Sequence, residues 1–342
     1  MISAFFAWYN GLTGSLAGAL LLFAVGLVLL IKGGDWFVDS ATGIAKRFHV
    51  PEIIIGATVV SIGTTLPEVM VSATAAVNHN GAIAYGNAIG SIICNTALIA
   101  AVTVAIRPAP VNRKAISMPV LFFFVSAVIY MVAAYIFQSF DRWLGIVMLL
   151  VFGVYMFLTI RQGFKNPVSA EDAQEEAEKG HSLLRDVLFL VVSAALIAVG
   201  ADMLEGSSVS LATMAGIPTE VVGVTIVALC TSLPELVTAI TALVKGHGAL
   251  SLGNIIGANI FNLVLVSGIA VTISPFPVPE GSTLFGYNTS LILEIPLMVG
   301  VMALLTLPAL TRKKLYRWQG IALLGIYAIF VLLQVLIALH VL

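Results

Sequence analysis

The chain has 342 residues, is 60% hydrophobic and only 10% charged, and has a mean hydropathy of +1.07. So little polar side-chain area cannot cover a soluble fold, and the composition points to a polytopic, all-α integral membrane protein. A net charge of −1 gives no electrostatic footprint for a nucleic-acid partner.

The start, Met1 to Gly14, lacks the basic region of a cleavable signal peptide, and the apolar stretch that follows is long enough to span. About 20 apolar residues cross a bilayer. That rule predicts ten spans, at roughly 13–33, 52–78, 81–105, 115–137, 143–161, 185–204, 219–244, 248–272, 288–309 and 317–340. The one substantial hydrophilic stretch lies between spans 5 and 6 and holds Glu171, Asp172, Glu175, Glu176 and Glu178. It lacks the alternating acids and central glycine of an EF-hand loop, so a solvated linker is the expectation. The chain therefore divides into a first repeat at 1–164, an acidic linker at 165–184 and a second repeat at 185–342. Cys94 and Cys230 lie inside apolar spans without metal-type spacing and read as packing residues. His49, His79, His181, His247 and His340 sit at segment ends or in loops and read as interfacial.

The loops orient the spans. Lys46 and Arg47 follow span 1, Arg107, Arg113 and Lys114 follow span 3, Arg161, Lys165, Lys179 and Arg185 surround the linker, Lys245 follows span 7, and Arg312 to Lys314 and Arg317 follow span 9. With Lys32 near the inner end of span 1, all of the 16 basic residues except Arg142 fall on one side. The positive-inside rule makes that side cytoplasmic. The linker is then inside and both termini are outside. An odd number of spans per half inverts the second half relative to the first, which gives two inverted five-helix repeats, an architecture of secondary transporters.

The halves carry the same motif. Gly63-Thr64-Thr65-Leu66-Pro67-Glu68 returns as Cys230-Thr231-Ser232-Leu233-Pro234-Glu235, an offset of 167 (68 to 235), and residues 51–95 match 218–262 at 19 of 45 positions. Pro51, Gly56 and Thr58 have counterparts in Pro218, Gly223 and Thr225. A charge at membrane depth costs at least about 2.5 kcal/mol, so two equivalent buried glutamates mark an ion path. Pro67 and Pro234 remove a backbone donor, which predicts a helix break in each half with carbonyls freed into a cavity. Thr64 and Glu68, like Thr231 and Glu235, are four apart and share a face. Carboxylates, hydroxyls and carbonyls without sulfur or imidazole suit hard cations such as Ca²⁺ or Na⁺.

The next span of each half adds a polar stripe. Asn87, Ser91 and Asn95 are spaced by four, with Asn254, Ala258 and Asn262 as counterparts. Asn95 and Asn262 are too polar for lipid and are expected at the site. Gly86, Gly90, Gly253 and Gly257 form small-xxx-small pairs for close helix approach. Asn259 lies off the stripe and reads as an interhelical hydrogen bonder. Asp35 and Asp202 also match at the offset and read as capping or helix-pairing groups at least as well as ion ligands.

The paired G-[TS]-[TS]-L-P-E and G-N-x-x-G-[SA]-x-x-x-N motifs resemble the α-repeats of the cation/calcium exchanger superfamily, most closely its prokaryotic sodium/calcium exchanger-type branch. The resemblance covers nearly the whole chain. It implies Ca²⁺ binding by Glu68, Glu235, Thr64 and Thr231. It implies Na⁺ binding by the same glutamates with Thr65, Ser232, Ser91 and the carbonyls of Ser61 and Ala228, with Asn95 as the later asparagine. Two positions depart from the pattern: Ala258 replaces a common serine, removing one Na⁺ ligand, and Asn262 stands where several relatives have an aspartate, which argues against potassium coupling. Protons are the alternative counter-ion, because a proton relieves the repulsion between two adjacent carboxylates. The implied activity is Ca²⁺ export in exchange for Na⁺ by alternating access, with spans 1 and 6 sliding past the rest. Ca²⁺/H⁺ exchange on the same fold is the nearest rival, a passive channel is disfavoured by the inverted repeat, and an intramembrane hydrolase lacks any nucleophile motif. No cofactor and no obligate protein partner is implied beyond the transported cations and the lipid bilayer. The short linker suggests a prokaryotic cytoplasmic membrane.

Overall fold

A computed structural model describes residues 11–12, 14–108, 110–165, 182–216, 228–280 and 283–339. The helices are α1 (Leu16–Arg47), α2 (Glu52–Val77), α3 (Gly81–Ile106), α4 (Arg113–Phe137), α5 (Arg142–Lys165), α6 (Leu183–Met214), α7 (Ala228–Thr231), α8 (Leu233–Val244), α9 (Gly248–Ile273), α10 (Ser290–Arg312) and α11 (Arg317–Ala338). Nine of these described helices are long and apolar enough to cross a membrane, and α8 is a shorter apolar helix. Two-residue strands close the loops at the end opposite the Lys and Arg clusters, where β1 (Ser139–Phe140) pairs with β2 (Phe276–Pro277) and β3 (Thr283–Leu284) with β4 (Tyr287–Asn288). Apolar side chains such as Leu20, Leu121, Leu150 and Leu332 stay exposed and form the lipid-facing surface.

The predicted spans agree with α2 to α5 and α9 to α11 to within a few residues. Spans 1 and 6 were expected to end at 33 and 204, whereas α1 and α6 run to Arg47 and Met214. Asp35 and Asp39 in α1, and Asp202 and Glu205 in α6, lower the local hydropathy without interrupting the helix. Each helix is 32 residues, about 48 Å long, against a hydrocarbon core of about 30 Å. They must tilt or project. Their N-caps are Ser15, which accepts from the Gly18 amide at 3.1 Å, and Ser182, which accepts from the Arg185 amide at 3.3 Å. Residues 166–181 of the linker, the start of span 7 and the residues Pro218, Gly223 and Thr225 lie outside the described residues.

The contacts between α1 and α6 express the inversion directly. A Cβ added at Gly26 would stand 2.8 Å from the Gly200 carbonyl, and one at Gly33 would stand 3.2 Å from the Ser193 carbonyl. Residue number rises along one helix as it falls along the other, so two repeat-equivalent helices run antiparallel. The offset of 167 converts Gly26 into Ser193 and Gly33 into Gly200, so one crossing is the symmetry copy of the other. Small residues are what let two backbones meet inside a bilayer.

A second close crossing joins α2 to α9. Added Cβ atoms at Gly56, Gly253 and Gly257 would collide with the Leu250 carbonyl, the Ile53 carbonyl and the Ser61 hydroxyl. Gly253 and Gly257 act as the predicted packing residues. Added Cβ atoms at Gly86 and Gly90 meet nothing within 4 Å among the described residues, which do not include 217–227. Asn259 is an interhelical bonder as expected, donating to Thr96 Oγ1 at 2.7 Å and meeting Met302 Sδ at 3.2 Å.

Candidate ion-binding site

The first copy of the motif folds differently from expectation. Pro67 sits inside an unbroken helical stretch, Ser61–Val77. A proline removes one hydrogen bond and crowds the preceding turn. A separate irregularity, a π-helical segment at Gly56–Val60, ends well upstream of Pro67, where Gly56 admits the α9 backbone. In the second copy the predicted break is present: α7 ends at Thr231, Ser232 leaves helical geometry at φ −93° and ψ 9°, and Pro234 lies in the first turn of α8. Proline is well placed there, because its missing N–H would have had no helical partner.

Four further π-helical segments among the described residues were not foreseen. Ala133–Phe137 and Ser290–Glu294 lie outside the motifs, and the other two begin at the repeat-equivalent asparagines, Asn95 (Asn95–Ala100) and Asn262 (Asn262–Val266). A π turn widens the helix and frees backbone groups, and such turns concentrate at functional sites. No residue type in NTALIA or NLVLV marks a π turn in advance; only the matched asparagines drew attention to these positions.

The side chains then gather. Glu68, Glu235, Ser91, Ser232, Asn95 and Asn262 are all buried. Neither carboxylate oxygen of Glu68, neither amide atom of Asn95 or Asn262, and neither hydroxyl of Ser91 or Ser232 has a hydrogen-bond partner among the described residues. Glu235 keeps one oxygen unpartnered, while its Oε1 accepts from Thr65 Oγ1 of the other half at 3.4 Å. The Glu68 carboxylate lies within electrostatic reach of Glu235. Buried polar groups are almost always satisfied, so these unpartnered groups from both repeats are the candidates for an ion-binding role.

The remaining predicted residues support this cluster. Thr64 Oγ1 donates to Asn254 Oδ1 at 3.3 Å, and Ser61 Oγ donates to the Asn254 carbonyl at 3.0 Å. Asn254 Nδ2 in turn donates to Thr238 Oγ1 at 3.1 Å. Asn87 Nδ2 donates to the Glu68 carbonyl at 3.1 Å and to Ser72 Oγ at 2.9 Å. Asn87 and Asn254, members of the predicted polar stripes, are thus committed to protein bonds that pin the motif helices against the next span. Thr231 ends α7 and is half-buried, and Ala228 opens the same turn. Ala258, the counterpart of Ser91, is fully buried and offers no oxygen. Sequence reasoning did not single out Thr238 or Ser72 as supports; their hydroxyls at helical spacing looked like ordinary packing.

The α1–α6 pair flanks the cluster. Gly34 of α1 packs against Val237 and Thr241 of α8, and Gly63 of α2 faces Phe37 of α1. Beyond Gly34, Lys245 Nζ lies 3.3 Å from Asp35 Oδ1 and 2.8 Å from Asp39 Oδ1, and donates to the Asp35 carbonyl at 2.9 Å. Asp35 is therefore a helix-pairing group, as expected.

A family model described as "Sodium/calcium exchanger protein" matches residues 18–161 and 186–336. Among curated proteins, the sodium/calcium exchanger MaX1 of Methanosarcina acetivorans is 31% identical and covers 91% of this chain and 96% of its own length. The inner membrane protein YrbG of Escherichia coli is 34% identical over 82% of this chain and 87% of its own. Among solved structures, the sodium-calcium exchanger NCX_Mj superposes with a TM-score of 0.76 at 32% identity, covering 91% of this chain and 97% of that one.

Proposed function

This chain belongs to the sodium/calcium exchanger family, and from that premise we propose that it exports Ca²⁺ in exchange for Na⁺ at one site shared by Glu68 and Glu235. As a member of that family it is a transporter, not an enzyme, and needs no cofactor. The observation that supports the site is the set of buried carboxylate, hydroxyl and amide oxygens from both repeats that have no hydrogen-bond partner among the described residues. Two carboxylates balance one divalent ion, and oxygen ligands suit both Ca²⁺ and Na⁺. Glu68, Glu235, Thr64 and Thr231 form the Ca²⁺ set. The same glutamates with Thr65, Ser232, Ser91 and the carbonyls of Ser61 and Ala228 form the Na⁺ set. Because the sets share both glutamates, the ions compete, and competition at one occluded site is what couples the two fluxes.

Access switches by movement of the α1–α6 pair. These helices pack on each other through glycines, contribute no site ligand and cover the flank of the site-bearing bundle. The Lys- and Arg-rich end faces the cytoplasm of a prokaryotic cell, with the linker at 165–184 inside and both termini outside. Chain organisation follows the repeats, 1–164 and 185–342.

The test is ⁴⁵Ca²⁺ uptake into proteoliposomes loaded with Na⁺, beside Na⁺-free vesicles carrying a pH gradient. Uptake that requires internal Na⁺ is the expected result. Uptake driven by the pH gradient alone would replace Na⁺ by H⁺ as counter-ion, the reading that the missing hydroxyl at Ala258 favours. Glu68→Gln and Glu235→Gln should each abolish uptake; robust transport by either variant would remove that residue from the site.

A further inference from the structure

A cavity of about 350 Å³ opens at the basic end of the molecule, away from the ion site, where α3 ends, α4 begins and α8 turns into α9. Ile53, Val104 and Leu252 contribute to an apolar wall, and Arg107, Asn112 and Ser251 supply polar groups. None of the described residues lining it is acidic. Arg107 Nη1 donates to the Leu243 carbonyl at 3.3 Å, which occupies one of five guanidinium N–H groups and aims the head across the opening. Ser251 is 3% exposed, and its hydroxyl has no hydrogen-bond partner among the described residues. Gly248 and Ala249 begin α9 at the same wall, and His247, at the N-cap, makes no side-chain cap bond. The first amides of a long helix therefore point, uncapped, into a cavity that holds a cation.

This combination selects an anion. Arginine and a helix N-terminus both favour phosphate oxygens, the first through its bidentate fork and the second through free N–H groups and the helix dipole. The positive charge makes the cavity a poor route for Ca²⁺ or Na⁺. The apolar wall adds room for a hydrocarbon portion. Basic pockets between membrane helices on the cytoplasmic side suit anionic lipid headgroups. We propose that this cavity binds a phosphate ester bearing an apolar group, with the phosphate held by Arg107, Ser251 and the α9 N-terminus. An occupant would touch Ile53 in the first turn of α2 and the Leu243 end of α8, and so bridge the two helices that carry Glu68 and Glu235.

Hydrogen exchange of the amides at 247–252 tests the assignment in full-length protein held in neutral phosphatidylcholine nanodiscs. One arm replaces part of the lipid with phosphatidylglycerol, and the other adds sn-glycerol 3-phosphate to neutral nanodiscs. With ligand at about ten times its dissociation constant, exchange through openings that release it slows about tenfold. Protection by phosphatidylglycerol alone assigns a lipid headgroup, and protection by glycerol phosphate assigns a soluble ester. Arg107→Gln should remove the protection. Because that change also removes the tie to Leu243, Ala249→Trp serves as a second variant: it fills the cavity from an exposed position and leaves Arg107 in place. Unchanged exchange in both arms, or protection that survives in Arg107→Gln and Ala249→Trp, overturns the proposal.

Discussion

Ser91 and Ala258 occupy equivalent positions in two halves that otherwise supply matched ligands. Ser91 brings a buried hydroxyl without a partner, while Ala258 brings only a methyl group. The proposed Na⁺ set is therefore richer on one side of the glutamate pair. Ser91→Ala should raise the Na⁺ concentration for half-maximal exchange and leave the fold intact, since the change removes an unsatisfied polar atom rather than a bond. Ala258→Ser should lower it by roughly the value of one added ligand bond, about 1 kcal/mol or fivefold. Na⁺-dependent ⁴⁵Ca²⁺ flux measures both, and an unchanged Na⁺ dependence in Ser91→Ala would remove that hydroxyl from the site. At this scale the glutamates, the motif hydroxyls and Asn95 and Asn262 were legible because a polar residue at membrane depth must be used. Which asparagine stays free was not legible. Asn87 and Asn95 are chemically alike, and only the three-dimensional placement of Ser72 and the Glu68 carbonyl commits one of them.

Among the elements, the close crossing of α2 and α9 sets where the two motif-bearing layers meet. Gly253→Ala would drive a methyl group into the Ile53 carbonyl, and overpacking of this kind costs about 1–3 kcal/mol. A Cβ at Gly153 of α5 meets nothing within 4 Å, so Gly153→Ala should be neutral. Thermal unfolding in detergent should separate the two, and equal midpoints would mean that α2 relaxes away from α9 without cost. The limits of α2 to α5 and α9 to α11 were readable from hydropathy because each span buries its backbone bonds internally, whereas the acidic residues in α1 and α6 hid where those helices end. The π segments and the survival of the helix through Pro67 were not. Both depend on what packs beside the helix, and the same Leu-Pro-Glu breaks one copy and not the other. Context decides: Thr64 and Ser61 are tied to Asn254, which holds the α2 turn together ahead of Pro67.

For the molecule as a whole, the inverted repeat was visible in the shared offset, and so was the exchange of Ser91 for Ala258, whereas another departure from symmetry became visible only in contacts. It is the anchoring of α1. Lys245 binds Asp35 and Asp39, but the offset converts Lys245 into Asn78 and Asp39 into Gly206, so the other end of the pair cannot build the same ion pair. Part-exposed pairs contribute about 0.2–1 kcal/mol, so Lys245→Ala should change the ratio of the two access states by up to about fivefold. The rate at which a cysteine introduced on either side of the site reacts with a membrane-impermeant thiol reagent would report that ratio, and identical rates in the variant would show that the anchor survives the switch. Perfectly superposable halves would give two mirror-image states in degenerate wells, with no preferred resting side. On the proposed mechanism, one lysine facing two aspartates would lift that degeneracy, and the carrier would idle with one door shut more often than the other even when no gradient acts on it.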